Sequence, residues 1–71
     1  MFKKNEFRAA LARAEMTPTD VARALKIDPG TISRKISGQS DFFRDEIEKI
    51  RALLGVDWDT IREIFFAQDA E

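Results

Sequence analysis

The sequence contains no cysteine and no histidine. Together these two absences remove disulfide bridges, Cys/His zinc sites, haem attachment, thiol chemistry and imidazole acid–base catalysis. Long hydrophobic runs are missing too. The longest, Ala52 to Val56, is five residues, against the roughly 20 that a membrane-spanning helix needs. The opening from Met1 to Glu6 carries charge with no apolar stretch behind it, so no signal peptide is expected and a cytoplasmic protein is. Nor does one sign of charge dominate, with 12 Lys+Arg against 13 Asp+Glu. What remains is 71 residues, 44% of them apolar, the makings of one small domain. Such a chain buries only about 60% of the surface its unfolded state exposes, which leaves little room for a deep cleft. Neither a cofactor nor a small-molecule substrate is expected.

The balanced total hides an uneven distribution. Residues 1–40 hold eight basic groups against four acids, and residues 41–71 hold four against nine. One side of such a molecule can face a polyanion while the other keeps it soluble. No repeat or low-complexity segment interrupts the chain.

Apolar spacing is helical throughout. Phe7, Ala10, Leu11 and Ala14 share a face of a first helix that starts between Lys3 and Glu6. Thr17-Pro18-Thr19-Asp20 then reads as a helix start, with Thr17 as N-cap, Pro18 where a missing N–H costs nothing and Asp20 closing a capping box. Val21, Ala22 and Leu25 form its inner face. Asp28-Pro29 repeats the signal eleven residues later, with Asp28 as the capping carboxylate. That spacing allows a two-turn helix and a short turn, the layout of a helix-turn-helix unit over about 17–38. The second helix of the unit runs from Pro29 to about Ser37, with Ile32 and Ile36 inward and Gly38 as its C-terminal cap. Its other positions, Gly30, Thr31, Ser33, Arg34, Lys35 and Ser37, are small, hydroxylic or cationic. A helix faced in this way can approach another surface closely and donate to it.

Phe43, Ile47, Ile50 and Leu54 mark a fourth helix ended by Gly55, and Asp57 caps a fifth whose stripe is Trp58, Ile61, Ile64 and Phe65. Residues 67–71 read as a frayed end. No segment alternates as a strand does, so the expected fold is all-α with five helices. Two adjacent phenylalanines cannot both face inward from one helix. Phe42 or Phe66 is therefore expected either in a patch joining two copies or folded over the edge of the core.

The stretch from Thr17 to Gly38 resembles the Cro and repressor type of helix-turn-helix domain, the lambda-repressor-like or XRE class. The likeness is carried by Val21-Ala22, Leu25, Ile27 and Thr31-Ile32-Ser33-Arg34 ahead of Gly38, and later by Leu53-Leu54-Gly55-Val56-Asp57-Trp58. The run Ser33-Arg34-Lys35-Ile36-Ser37-Gly38, with Asp41-Phe42 and Glu46 to Ile50, is similar to short phage-associated members. The resemblance implies a DNA-binding transcriptional regulator, a phage or prophage repressor or Cro-like protein, whose second helix of the pair enters the major groove of double-stranded DNA. Pro29, Gly30 and Arg34 then stand at base-reading positions. Thr17, Thr31, Ser37, Gln39 and Arg44 stand at sugar-phosphate positions. The sequence departs from the pattern at Pro18, where Gln is usual, and at Lys26, where a turn Gly is frequent and a positive φ would cost about 1–2 kcal/mol.

The residues themselves support several of these roles. An arginine in mid-helix can pair bidentately with guanine, which is worth about 1–3 kcal/mol of discrimination. Ser33 can donate to a base, or bond back to its own helix. Lys35, with no acid expected on its face, is assigned to a phosphate. The competing reading is a helical scaffold that binds another protein, as an antirepressor or assembly adaptor does. An enzyme is not expected, because Ser33, Ser37 and Ser40 have no histidine to activate them.

Overall fold

The computed structural model describes residues 2–66. The segment 67–71, expected to fray, lies outside the described residues. Five helices follow one another: α1 (Lys4–Arg13), α2 (Pro18–Leu25), α3 (Pro29–Ser37), α4 (Arg44–Leu54) and α5 (Trp58–Phe65). Among the described residues there is no strand. No helix there is long and apolar enough to cross a membrane.

The starts of the helices are local chemistry. At α2 the box closes in both directions: Asp20 N–H donates to Thr17 Oγ1 at 3.2 Å and Thr17 N–H to Asp20 Oδ2 at 2.9 Å. Thr60 N–H donates to Asp57 Oδ1 at 2.9 Å at the head of α5. Asp28 is the N-cap of α3 by position, yet its carboxylate makes no capping bond. The expected cap there is corrected to an extended backbone followed by Pro29, whose fixed φ suits a first helical position without help from a side chain.

The ends of α1 to α4 share one device. Glu15, Lys26, Gly38 and Gly55 all take the left-handed conformation, with φ of 58°, 61°, 94° and 67°. This geometry lets later N–H groups turn back to the orphaned carbonyls of the last turn. Ile27 N–H reaches Ala22 O and Lys26 N–H reaches Arg23 O; Met16 does the same to Leu11, and Gln39 to Arg34. Glycine adopts this conformation without strain, whereas Glu15 and Lys26 each carry the crowding of a Cβ against a carbonyl.

The core gathers Phe7, Val21, Ile32, Ile50, Ile61 and Ile64, all essentially inaccessible. Beside it Phe2, Phe7, Phe42 and Phe65 form a box of rings with centroids 5.1–5.9 Å apart, the separation at which tilted aromatic pairs attract. The box joins the start of the chain and α1 to the extended stretch ahead of α4 and to α5, and Lys3 N–H closes it by donating to Ile64 O at 2.7 Å.

Two inward assignments are corrected. Phe43 is 62% exposed, and Phe42 takes its place against the core. The reason is that α4 begins only at Arg44: residues 42 and 43 are still extended, where neighbours point to opposite sides. Trp58 is 48% exposed. It stands at the first position of α5, a turn ahead of the buried Ile61, Ile64 and Phe65.

Candidate nucleic-acid interface

The face of α3 turned away from the core is small and polar because Ile32 and Ile36 take the inward positions, packed with α2. Pro29, Gly30, Ser33, Arg34 and Ser37 are exposed, and Thr31 is half-buried. The first turn of α3 holds no acid. Asp28 stands just ahead of it as the N-cap residue.

Arg34 lies back along this face. Its Nη2 donates to Thr31 Oγ1 at 3.3 Å, and its Nη1 stands 3.6 Å from where a Cβ on Gly30 would be. Gly30 therefore leaves an open shelf under the guanidinium, and Thr31 holds one edge of it. The other N–H groups of Arg34 make no hydrogen bond to the described residues. They are the donors that paired acceptors such as guanine O6 and N7 require. Ser33 is exposed with its hydroxyl likewise unbonded.

Lys35 is corrected outright. It is 5% exposed, its Nζ lies 3.1 Å from Glu46 Oε1, and it donates to the Asp41 carbonyl at 2.8 Å. The ammonium also stands 4.2 Å from the centre of the Phe43 ring. A group held in this way cannot reach a phosphate. It ties α3 to the start of α4, where Glu46 in turn accepts from Phe43 N–H at 2.9 Å. The sequence shows no acid on the α3 face that carries Lys35 because the partner comes from another helix. A four-residue reading window cannot see that pair.

Ser37 is exposed, but its hydroxyl donates to Arg34 O at 3.1 Å, so a phosphate would have to replace that bond. The same carbonyl accepts from the backbone of Gln39 and Ser40, which fixes the loop and leaves the Gln39 amide side chain exposed. Arg44 opens α4 and lines a depression with Ile47, Glu48, Trp58 and Phe66. It forms no hydrogen bond with Arg34 or Thr31.

The start of α2 offers less than a bare helix end would. Thr17 caps Asp20 N–H, Val21 N–H bonds Thr17 O at 3.2 Å, and Pro18 has no N–H. Only Thr19 N–H is left to face an anion. Asp20 sits beside it. The Thr17 backbone N–H and then its hydroxyl hold the Asp20 carboxyl below the ordinary carboxylate range; desolvation opposes them, and Arg23 adds a lesser lowering. That carboxylate is thus ionised at neutral pH next to the group a phosphate would seek.

The structure thus brings Pro29, Gly30, Thr31, Ser33, Arg34 and Ser37 onto one short helix and withdraws Lys35 from them. Lys26, exposed in the turn between α2 and α3, is a nearby cation that the site reading did not include. Comparison of the chain with protein-family models, curated proteins and solved structures gives no match.

Proposed function

We propose that this chain is a sequence-specific DNA-binding regulator of the Cro and repressor type it resembles, a phage or prophage protein that seats α3 in the major groove. The observation that carries this reading is the outer face of α3. It is uncovered by the other described residues, has no bulky side chain except Arg34, and holds that arginine over Gly30 with several donors unspent. A helix can enter the major groove of B-DNA, about 12 Å wide, when its leading face is narrow, as Pro29, Gly30 and Ser33 make it. In this reading Arg34 reads a base pair. Thr31 and Gln39 position the backbone, with Thr17 and Thr19 N–H at the flank.

Because Lys35 is spent within the fold, fewer phosphates are neutralised than the sequence suggests, and the salt dependence should be shallow for a DNA-binding domain. The test is selection of bound duplexes from a random library by the full chain. Recovery of a defined sequence, read by Arg34 through a guanine, is the expected result. The same withdrawal of Lys35, with Asp28 at the head of α3 and the ionised Asp20 at the head of α2, favours a second reading in which this face meets a protein. Failure to bind any duplex at low salt would select it.

A further inference from the structure

Two of the expected backbone-contact residues lie beyond α3: Gln39 in the loop that follows it, and Arg44 at the first position of α4. For these to meet phosphates while Arg34 meets a base, the loop between them must be held fixed relative to α3 beforehand. Packing does little of this. Two depressions, each of about 330 Å³, border the loop, and Gly38 and Asp41 line both.

Polar contacts hold the loop instead. Its start is anchored where Gln39 N–H and Ser40 N–H donate to Arg34 O at 2.9 and 3.2 Å. Its end is anchored where Phe43 N–H donates to Glu46 Oε1 at 2.9 Å. Lys35 joins the two: its Nζ donates to Asp41 O at 2.8 Å, in mid-loop, and lies 3.1 Å from that same Glu46 oxygen. The ring of Phe43 covers the ammonium at 4.2 Å and that of Phe42 stands at 5.9 Å. With water kept out, both polar contacts are strengthened. An ammonium suits the place, because it offers three donors to separate acceptors. A buried ion pair adds little stability over apolar side chains of the same volume, so what this pair contributes is geometry.

We infer that Lys35 is a positioning residue of the nucleic-acid interface: touching no nucleotide itself, it sets Gln39 and Arg44 in register with Arg34. This role rests on the DNA-binding reading above, whereas the ordering of the loop is a property of the free protein.

Nuclear magnetic resonance of the unaltered chain gives the first test. The 15N heteronuclear NOE values of residues 39–42 are expected to match those of α3, and values far below would overturn the role without any variant. Lys35→Met combined with Glu46→Gln removes both charges at nearly constant volume, and circular dichroism checks that it folds. In that variant the NOE values of the loop should fall, and amide exchange at Gln39, Ser40 and Phe43 should quicken about tenfold or more relative to core amides. On the duplex selected by the parent, the slope of log K against log salt should shrink by about one, the share of the Arg44 phosphate. A loss of stability alone leaves that slope unchanged, because the folded fraction binds as before. A folded variant whose loop is as ordered as the parent's would overturn the role. So would an unchanged slope in a variant whose parent binds, and the DNA-binding reading would then still stand. A parent that binds no duplex would overturn that reading itself, with the amide data still deciding whether Lys35 orders the loop.

Discussion

The two flanks of α3 use neighbouring cations in opposite ways. Arg34, on the outer flank, is exposed and leans on a threonine hydroxyl with most of its donors unspent. Lys35, about 100° further round the helix, is almost wholly buried and bound to a carboxylate, a carbonyl and the face of a ring. The difference shows that a cation's role is set by what lies across from it in space. On the outer flank no described residue answers the charge with an acid, so it is available to something else. On the inner flank the charge is answered completely and becomes part of the scaffold.

The sharpest way to break this contrast is to remove the inner cation. Lys35→Met leaves Glu46 buried without its ion partner and is expected to cost about 3–5 kcal/mol, read as a lower urea midpoint at unchanged slope. Replacing both members, Lys35→Met with Glu46→Gln, should cost less than the single change, because no uncompensated charge is left inside. The outer cation should behave in reverse. Arg34→Ala is expected to move stability by no more than about 0.5 kcal/mol, while weakening binding to a selected duplex by about 1–3 kcal/mol. Fluorescence anisotropy on selected and random duplexes checks both halves, and an equal loss on the two DNAs would remove Arg34 from base reading.

A smaller effect belongs to the cap at the head of α2, which positions the whole α2–α3 pair. Thr17→Ala should cost about 1 kcal/mol in thermal or urea unfolding. Asp20 adds a pH dependence of definite sign. Its folded-state pKa is depressed, chiefly by the Thr17 backbone N–H, so its contribution is complete above the ordinary carboxylate pKa and is lost as pH falls through the depressed value. Asp57, held low by Thr60 N–H, behaves alike. Asp20→Asn and Asp57→Asn should each flatten the acid limb of a plot of Tm against pH.

The smallest effect has the opposite direction. Lys26→Gly relieves the left-handed strain at the turn into α3, and after allowance for the freedom glycine adds to the unfolded chain it should gain roughly 0.5–1 kcal/mol. Gly38→Ala, at a position with φ of 94°, should lose stability. A matching loss in Lys26→Gly would mean that the lysine side chain itself contributes to the fold.

These contrasts also mark what the sequence could and could not reveal. All five helices were legible because their boundaries are written locally: Thr17-Pro18 and Asp57 at starts, Gly38 and Gly55 at ends, and isoleucines at helical spacing between them. The outer face of α3 was legible for the same reason, since a helix whose inward positions are known has its outward positions fixed. Lys35 was misread because its partner Glu46 is supplied by a different helix, and the pairing exists only once α3 and α4 meet. Phe42 and Phe43 were exchanged because a one-residue shift in the start of α4 turns an extended pair over. Trp58 was drawn inward by hydrophobicity, although its place in the first turn of α5 lies ahead of the packed stripe. Glu15 carried no sequence signal for a left-handed turn, because that geometry is normally announced by glycine.

The hydrogen bond from Lys3 to Ile64 couples positions almost a whole chain apart, and the ring box beside it draws Phe2 and Phe65 together. During synthesis that junction cannot form until α5 has left the ribosome tunnel. The α2–α3 pair, by contrast, is contiguous and packed on itself. The unit that carries the outward face can therefore assemble from neighbours first, and the contacts of Phe2 and Lys3 with α5 follow once that helix is available.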